Sequence, residues 1–100
     1  MTIGEARELA QRHLDANGHT EQGQRLVIFP EDEIAKDLGW CYIFHHNTER
    51  YVETNDPDYA MGPGRGPIAV VKKDGAIYEM GSAPGHEDIL AEWGREHGYL

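Results

Sequence analysis

Gly39-Trp40-Cys41-Tyr42-Ile43-Phe44-His45-His46-Asn47 is the stretch whose reading decides the fold. Side chains of an extended chain alternate with period two, so Trp40, Tyr42, Phe44 and His46 share one face while Cys41, Ile43, His45 and Asn47 share the other. Both faces carry apolar bulk. The aromatics of the first face can pack a helix or a second sheet, and Cys41 with Ile43 points to cover on the opposite side as well, so the pattern is that of a central strand. Its polar end begins at His45.

Working outward, Asn47-Thr48-Glu49-Arg50 suits a turn and Tyr51-Val52 a return strand, which makes Trp40 to Val52 a hairpin. Ile68 to Lys72 and Ala76 to Met80 form another, joined by Asp74-Gly75, the strongest short-range hairpin signal in the chain. Upstream, Gln24 to Phe29 reads as a strand ended by Pro30. The acidic connection from Glu31 to Leu38 fits one helical turn or an irregular loop. Thr2-Ile3-Gly4-Glu5 has the form of a capping box, and Ile3, Ala6, Leu9, Ala10, His13 and Leu14 then recur on one helical side, with Asn17-Gly18 as the stop. A second helix starts after Pro84 with acids in its first turn; Ile89, Leu90 and Trp93 form its apolar stripe, Glu92, Arg95 and Glu96 face water, and Gly98 ends it. The expectation is an α+β fold: a four-stranded antiparallel sheet, a meander, with the N-terminal helix at 3–17 and the C-terminal helix at 86–97 packed on one face. Trp40, Phe44, Leu9, Leu14, Ile89 and Trp93 are expected to share that core. The length of 100 residues is that of one small domain, covering 1–100.

Composition narrows the function. A net charge of −9 and a pI near 4.9 speak against nucleic acid, whose binding draws on Lys and Arg, and make a basic partner the natural counterpart. There is no apolar run of the ~18 residues a membrane span needs, and no basic-then-apolar leader. Cys41, the sole cysteine, fits a reducing compartment, so a cytoplasmic location is expected. His45 and His46 point to opposite faces of a strand, and His86 and His97 stand about three helical turns apart, so neither pair shares an ion. An apolar neighbourhood makes Cys41 a poor nucleophile. The glycines of Gly62-Pro63-Gly64-Arg65-Gly66-Pro67 are no phosphate loop, because the prolines remove amide donors and a strand follows, not a helix. No catalytic, metal or cofactor site is expected, and the chain is read as no enzyme. What stands out is the loop from Glu53 to Pro67, about 15 residues without periodic pattern, long enough to be a recognition surface.

The chain resembles the immunity protein 35 family, also described as YrhB-like domains. The resemblance spans nearly the whole chain: an amphipathic N-terminal helix, Gly39-Trp40 opening an aromatic strand, Glu53-Thr54-Asn55-Asp56, glycines before Pro67-Ile68, the run Val70 to Gly75, and Gly81-Ser82 before the last helix. The chain departs from the family pattern at Val71 and at Lys73-Asp74. What the resemblance implies is a small α+β inhibitor that binds a cognate polymorphic toxin, encoded by a neighbouring gene, in the cytoplasm of the producing cell. The partner-binding residues expected are Glu53, Asp56, Asp58, Tyr59 and Arg65 on the long loop, with help from Glu31, Asp32 and Glu33. The alternatives are a chaperone-like or peptide-binding module, which would use apolar surface around the hairpin, and a small metal-dependent enzyme, which would need convergent histidines.

Overall fold

In a computed structural model that describes residues 1–16, 20–21, 23–61, 66–81 and 85–100, the alternation of the central stretch is realised over a shorter run than its pattern predicts. Asn17-Gly18, Arg65 with the glycines before it, and Pro84 lie outside the described residues. Strand β4, Cys41–Phe44, pairs antiparallel with β6, Ile68–Val71, placing Tyr42 opposite Val70 and Phe44 opposite Ile68. Its other edge takes the short β3, Lys36–Asp37, and β6 continues to β7, Ile77–Glu79. The result is a four-stranded sheet in the order β3-β4-β6-β7, antiparallel as expected, but with residues 45–67 of the chain intervening between the neighbours β4 and β6, so it is not a run of consecutive strands.

At His45 the chain leaves that sheet. Strand β5, His46–Thr48, pairs instead with β2, Gln24–Ile28, which also pairs with β1, Thr20–Glu21, to make a second, three-stranded sheet. The return strand expected at Tyr51-Val52 is a helix, α2, Glu49–Thr54. The reason is capping: Thr48 has extended backbone and its Oγ1 accepts from the Tyr51 amide at 3.1 Å, Glu49 favours the positive helix end, and Asn55 closes the helix in the left-handed region at φ 58°. The Trp40 to Val52 hairpin therefore does not exist. β4 finds its partner at Ile68–Val71.

The Asp74-Gly75 hairpin is present, with a wider turn. The Val71 amide donates to the Ala76 carbonyl at 2.8 Å, Asp74 Oδ1 accepts from the Ala76 amide at 2.9 Å, and Gly75 takes φ 77°. The acidic connection resolves into a 3-10 turn, Asp32–Ile34, running into β3.

The helices cover opposite faces, which corrects the expectation of one. Helix α1, Ile3–Ala16, opens with the reciprocal bonds of the capping box, Thr2 amide to Glu5 Oε1 at 3.0 Å and Glu5 amide to Thr2 Oγ1 at 3.1 Å. It buries Ala6, Ala10 and Leu14 against Leu26, Ile28, Phe44, Ile68 and Val70. Helix α3, His86–Glu96, brings Leu90 and Trp93 onto Cys41, Ile43, Ala69 and Met80. The physical cause is the period-two pleat itself: Cys41, Ile43 and Ala69 form a second apolar face that needs its own cover. All of β6 is buried as a consequence, from Ile68 at 0% to Val71 at 1% exposure. Trp40 precedes β4 and sits with the α3 cluster, not with Phe44. Ile89 is 53% exposed, so the inward stripe of α3 is Leu90, Trp93 and Gly94. Gly94 is required there, because a Cβ would stand 2.5 Å from the Trp40 ring.

Candidate functional site

The long loop is more ordered by its neighbours than its sequence suggests. Asn47 and Thr48, side by side at the end of β5, hold it at two points. Thr48 is fully buried; its hydroxyl caps α2 and also donates to the Tyr59 carbonyl at 2.6 Å. Asn47 Oδ1 accepts from the Met61 amide at 2.6 Å and from the Thr48 amide at 2.8 Å. Ahead of these anchors, Asp56 Oδ1 accepts from the Asp58 amide at 3.0 Å and caps a 3-10 turn, Pro57–Tyr59. The Thr54 hydroxyl donates to the Arg50 carbonyl at 2.7 Å and accepts from the Asp56 amide at 3.2 Å. The Arg50 guanidinium lies 5.0 Å from the centre of the Tyr59 ring. Tyr59 is thereby half-buried, whereas Glu53 and Asp58 are exposed and Asp56 is partly so.

Glu31, Asp32 and Glu33 stand on a different support. All are exposed, and Asp32 forms an ion pair with Arg7 of α1, whose guanidinium also sits over the Phe44 ring at 5.7 Å. The antiparallel pairing of β2 with β5 sends the two acidic groups off opposite ends: Glu31 follows the strand end beside His46, while α2 and Tyr59 attach at the end where Thr48 faces Leu26. Arg65 lies outside the described residues.

Many cations elsewhere are already matched. Arg12 pairs with Glu8 at 2.9 Å, Arg25 with Asp15 at 2.7 Å, Lys36 with Glu87 at 2.7 Å and Lys72 with Asp37 at 2.7 Å. Hydrogen bonds from Arg25, Lys72 and Lys36 hold the carboxyls of Asp15, Asp37 and Glu87 below the usual carboxylate range. With 18 acids against 9 bases, the surplus negative charge is displayed at Glu31, Glu33, Glu53 and Asp58, and on α3 at Asp88, Glu92 and Glu96.

The remaining chemistry is quiet. Burial, helped by the nearby Asp37 carboxylate, pushes the Cys41 thiol up to about 11, so it stays protonated at neutral pH. His45 is exposed and His46 is 6% exposed. Among the described residues no three His, Cys, Asp or Glu side chains converge as metal ligands would. Asn47 and Thr48 anchor the loop, although their sequence suits a turn. The signal that marks them is Thr48 before Glu49, followed by Asn55 and Asp56-Pro57, which together spell a capped helix and a capped turn.

Antiparallel sheets flanked by terminal helices, with an anchored acidic segment at one edge, define a small α+β protein. The chain belongs to the immunity protein 35 family, whose model it matches over residues 4–96. No curated protein and no solved structure matches it. Membership of an immunity family implies a toxin as partner in general terms, and such proteins are generally non-catalytic. Among the described residues no helix is long and apolar enough to cross a membrane.

Proposed function

We propose that this chain is a non-catalytic immunity protein that binds and neutralises one cognate toxin, encoded beside it, in the cytoplasm of the producing cell. Membership of the immunity protein 35 family over residues 4–96 is the observation that carries this reading. The proposed contact surface is made by Glu53, Asp56, Asp58, Tyr59 and Arg65, with help from Glu31, Asp32 and Glu33 at the other end of the β2–β5 pair. Two features support it. The bonds from Asn47 and Thr48 fix the segment before any partner arrives, which lowers the ordering entropy of association. A half-buried tyrosine among carboxylates combines an anchor with charge that steers a basic partner.

The experiment is binding kinetics with the neighbouring gene's toxin at two ionic strengths, beside a growth-protection assay. Tyr59→Ala is expected to weaken binding by more than ~1 kcal/mol through faster dissociation. Asp56→Asn with Asp58→Asn is expected to slow association and to flatten its salt dependence. Unchanged kinetics for all of these would move the interface elsewhere, and absence of binding by the parent chain would remove the immunity reading.

A further inference from the structure

The turn between β6 and β7 carries a reactivity that its role in the hairpin does not use. Asp74 is followed by Gly75, the residue type that least hinders attack of its own backbone nitrogen on the aspartyl side chain before it. In that reaction the Gly75 nitrogen gives up its proton and bonds to Cγ of the protonated Asp74 carboxyl, whose hydroxyl leaves with that proton as water. Solvent water then opens the five-membered imide at either carbonyl. One opening returns aspartate; the other leaves isoaspartate, with the main chain routed through the side-chain carboxyl. Asp74 is exposed, so water reaches it.

Both reacting groups are held back. The Gly75 amide donates to the Val71 carbonyl at 2.8 Å, which ties up the proton that must leave. Both carboxylate oxygens of Asp74 are occupied: Oδ2 accepts from the Tyr99 hydroxyl at 2.6 Å and Oδ1 from the Ala76 amide at 2.9 Å. These two bonds, the one from Tyr99 first, keep the carboxyl below the usual carboxylate range, and an ionised carboxylate resists a nucleophile. Tyr99 is fixed in its turn. Its amide donates to the Gly94 carbonyl at 2.8 Å where the chain turns out of α3 at Gly98, φ 79°, and its ring lies 6.2 Å from that of Trp40 at an inclination of 21°. The Trp40 carbonyl accepts from the Lys72 amide at 2.9 Å, at the base of the same hairpin. The residues after α3 therefore form a strap that ends on the reactive carboxylate.

We propose that Asp74 is a latent self-modification site, at which the chain converts itself to isoaspartate, and that the strap ending in Tyr99 sets the rate of that conversion. The conversion adds one methylene to the main chain inside the turn, next to the bonds from Val71 to Ala76 and from Gly75 to Val71 that close it. It loosens β7 from the sheet. The inference stands apart from the toxin reading, since no partner takes part.

The full chain is aged at neutral pH and 37 °C, and isoaspartate is measured by enzymatic methylation and located by peptide mapping. Conversion at Asp74 shifts the retention of its peptide without a change in mass, whereas Asn17-Gly18, the other dipeptide of this kind, gains mass as it loses its amide. Tyr99→Phe, which keeps the ring and removes the hydroxyl, is expected to accelerate conversion at Asp74 by roughly two- to tenfold, the weight of one hydrogen bond. Thr48→Val loosens the other sheet and serves as a control for overall stability; it should convert at the parent's rate. The isolated isoaspartyl form should melt below the parent. A parent rate in Tyr99→Phe would overturn the inference. Equal acceleration in Thr48→Val would overturn it too, because global unfolding and not the strap would then control the reaction.

Discussion

Thr48 shows how much one side chain organises. Its hydroxyl both accepts from the Tyr51 amide and donates to the Tyr59 carbonyl with no exposure to water, so Thr48→Val keeps the shape and strands two polar groups. The expected loss is about 1–3 kcal/mol, from a lost cap and an unsatisfied buried carbonyl. Urea denaturation checks it, with Thr48→Ser recovering most of the loss; equal midpoints for Val and parent would mean the hydroxyl is not what holds the segment. Cys41 gives a prediction of opposite character. Its thiol is raised in the folded state to about 11, so the neutral form is the one that folding favours. That contribution is complete below the thiol's ordinary range and is lost as pH rises through it toward the folded value. Alkylation of native protein at neutral pH should accordingly be far slower than alkylation in denaturant, and rapid native labelling would contradict the burial of Cys41.

At the scale of elements, α3 is where a one-residue error in helical phase has a measurable cost. Leu90 is fully buried against Ile43, Ala69 and Met80, whereas Ile89 is more than half exposed. Leu90→Ala should therefore destabilise by about 2–5 kcal/mol, while Ile89→Ala should change stability by less than about 0.5 kcal/mol in a thermal or chemical melt. The reverse order would return α3 to the phase read from sequence. Elements with strong local signals were legible: the capping box of Thr2 and Glu5, the Asp74-Gly75 turn, and the alternation of Cys41 to Phe44 are each decided by neighbours in sequence. The mistaken elements depended on distant ones. Tyr51-Val52 has strand-forming residues, yet Thr48 and Asn55 cap the segment as a helix because β4 already has Ile68–Val71 as its partner. The placement of α3 opposite α1 follows from the second apolar face of the central strand, a face visible in sequence but assigned no helix of its own. Of the proposed contact residues, the exposure of Glu31, Asp32, Glu33 and Asp58 was legible, whereas Glu53 lies on α2 and Tyr59 is half-buried, and the anchors Asn47 and Thr48 were not legible, since their partners Tyr59 and Met61 lie more than ten residues away.

The whole molecule is governed by its charge. Two opposing effects act as pH falls from neutrality: self-repulsion of the −9 chain relaxes toward its pI of 4.9, and below that the paired carboxylates begin to take up protons. Asp15, Asp37, Asp74 and Glu87 all have folded-state values lowered by hydrogen-bonded partners, in Asp74 by the Tyr99 hydroxyl. A lowered folded value means the unfolded chain binds protons more readily, so the contribution of these groups is present above the ordinary carboxylate range and disappears as pH falls through the folded values. These groups are exposed and each pair is weak on its own, so repulsion decides the neutral side and linkage decides the acid side. The melting temperature is expected to be highest at about pH 5–6 and to fall steeply below about pH 4. Added salt should raise it at pH 7, where repulsion dominates, and do little near the pI. A melting temperature that dropped with salt at pH 7 would show that the ion pairs of Arg7, Arg25, Lys36 and Lys72 outweigh the repulsion, and with it that the surplus acids are spread too widely to steer a basic partner.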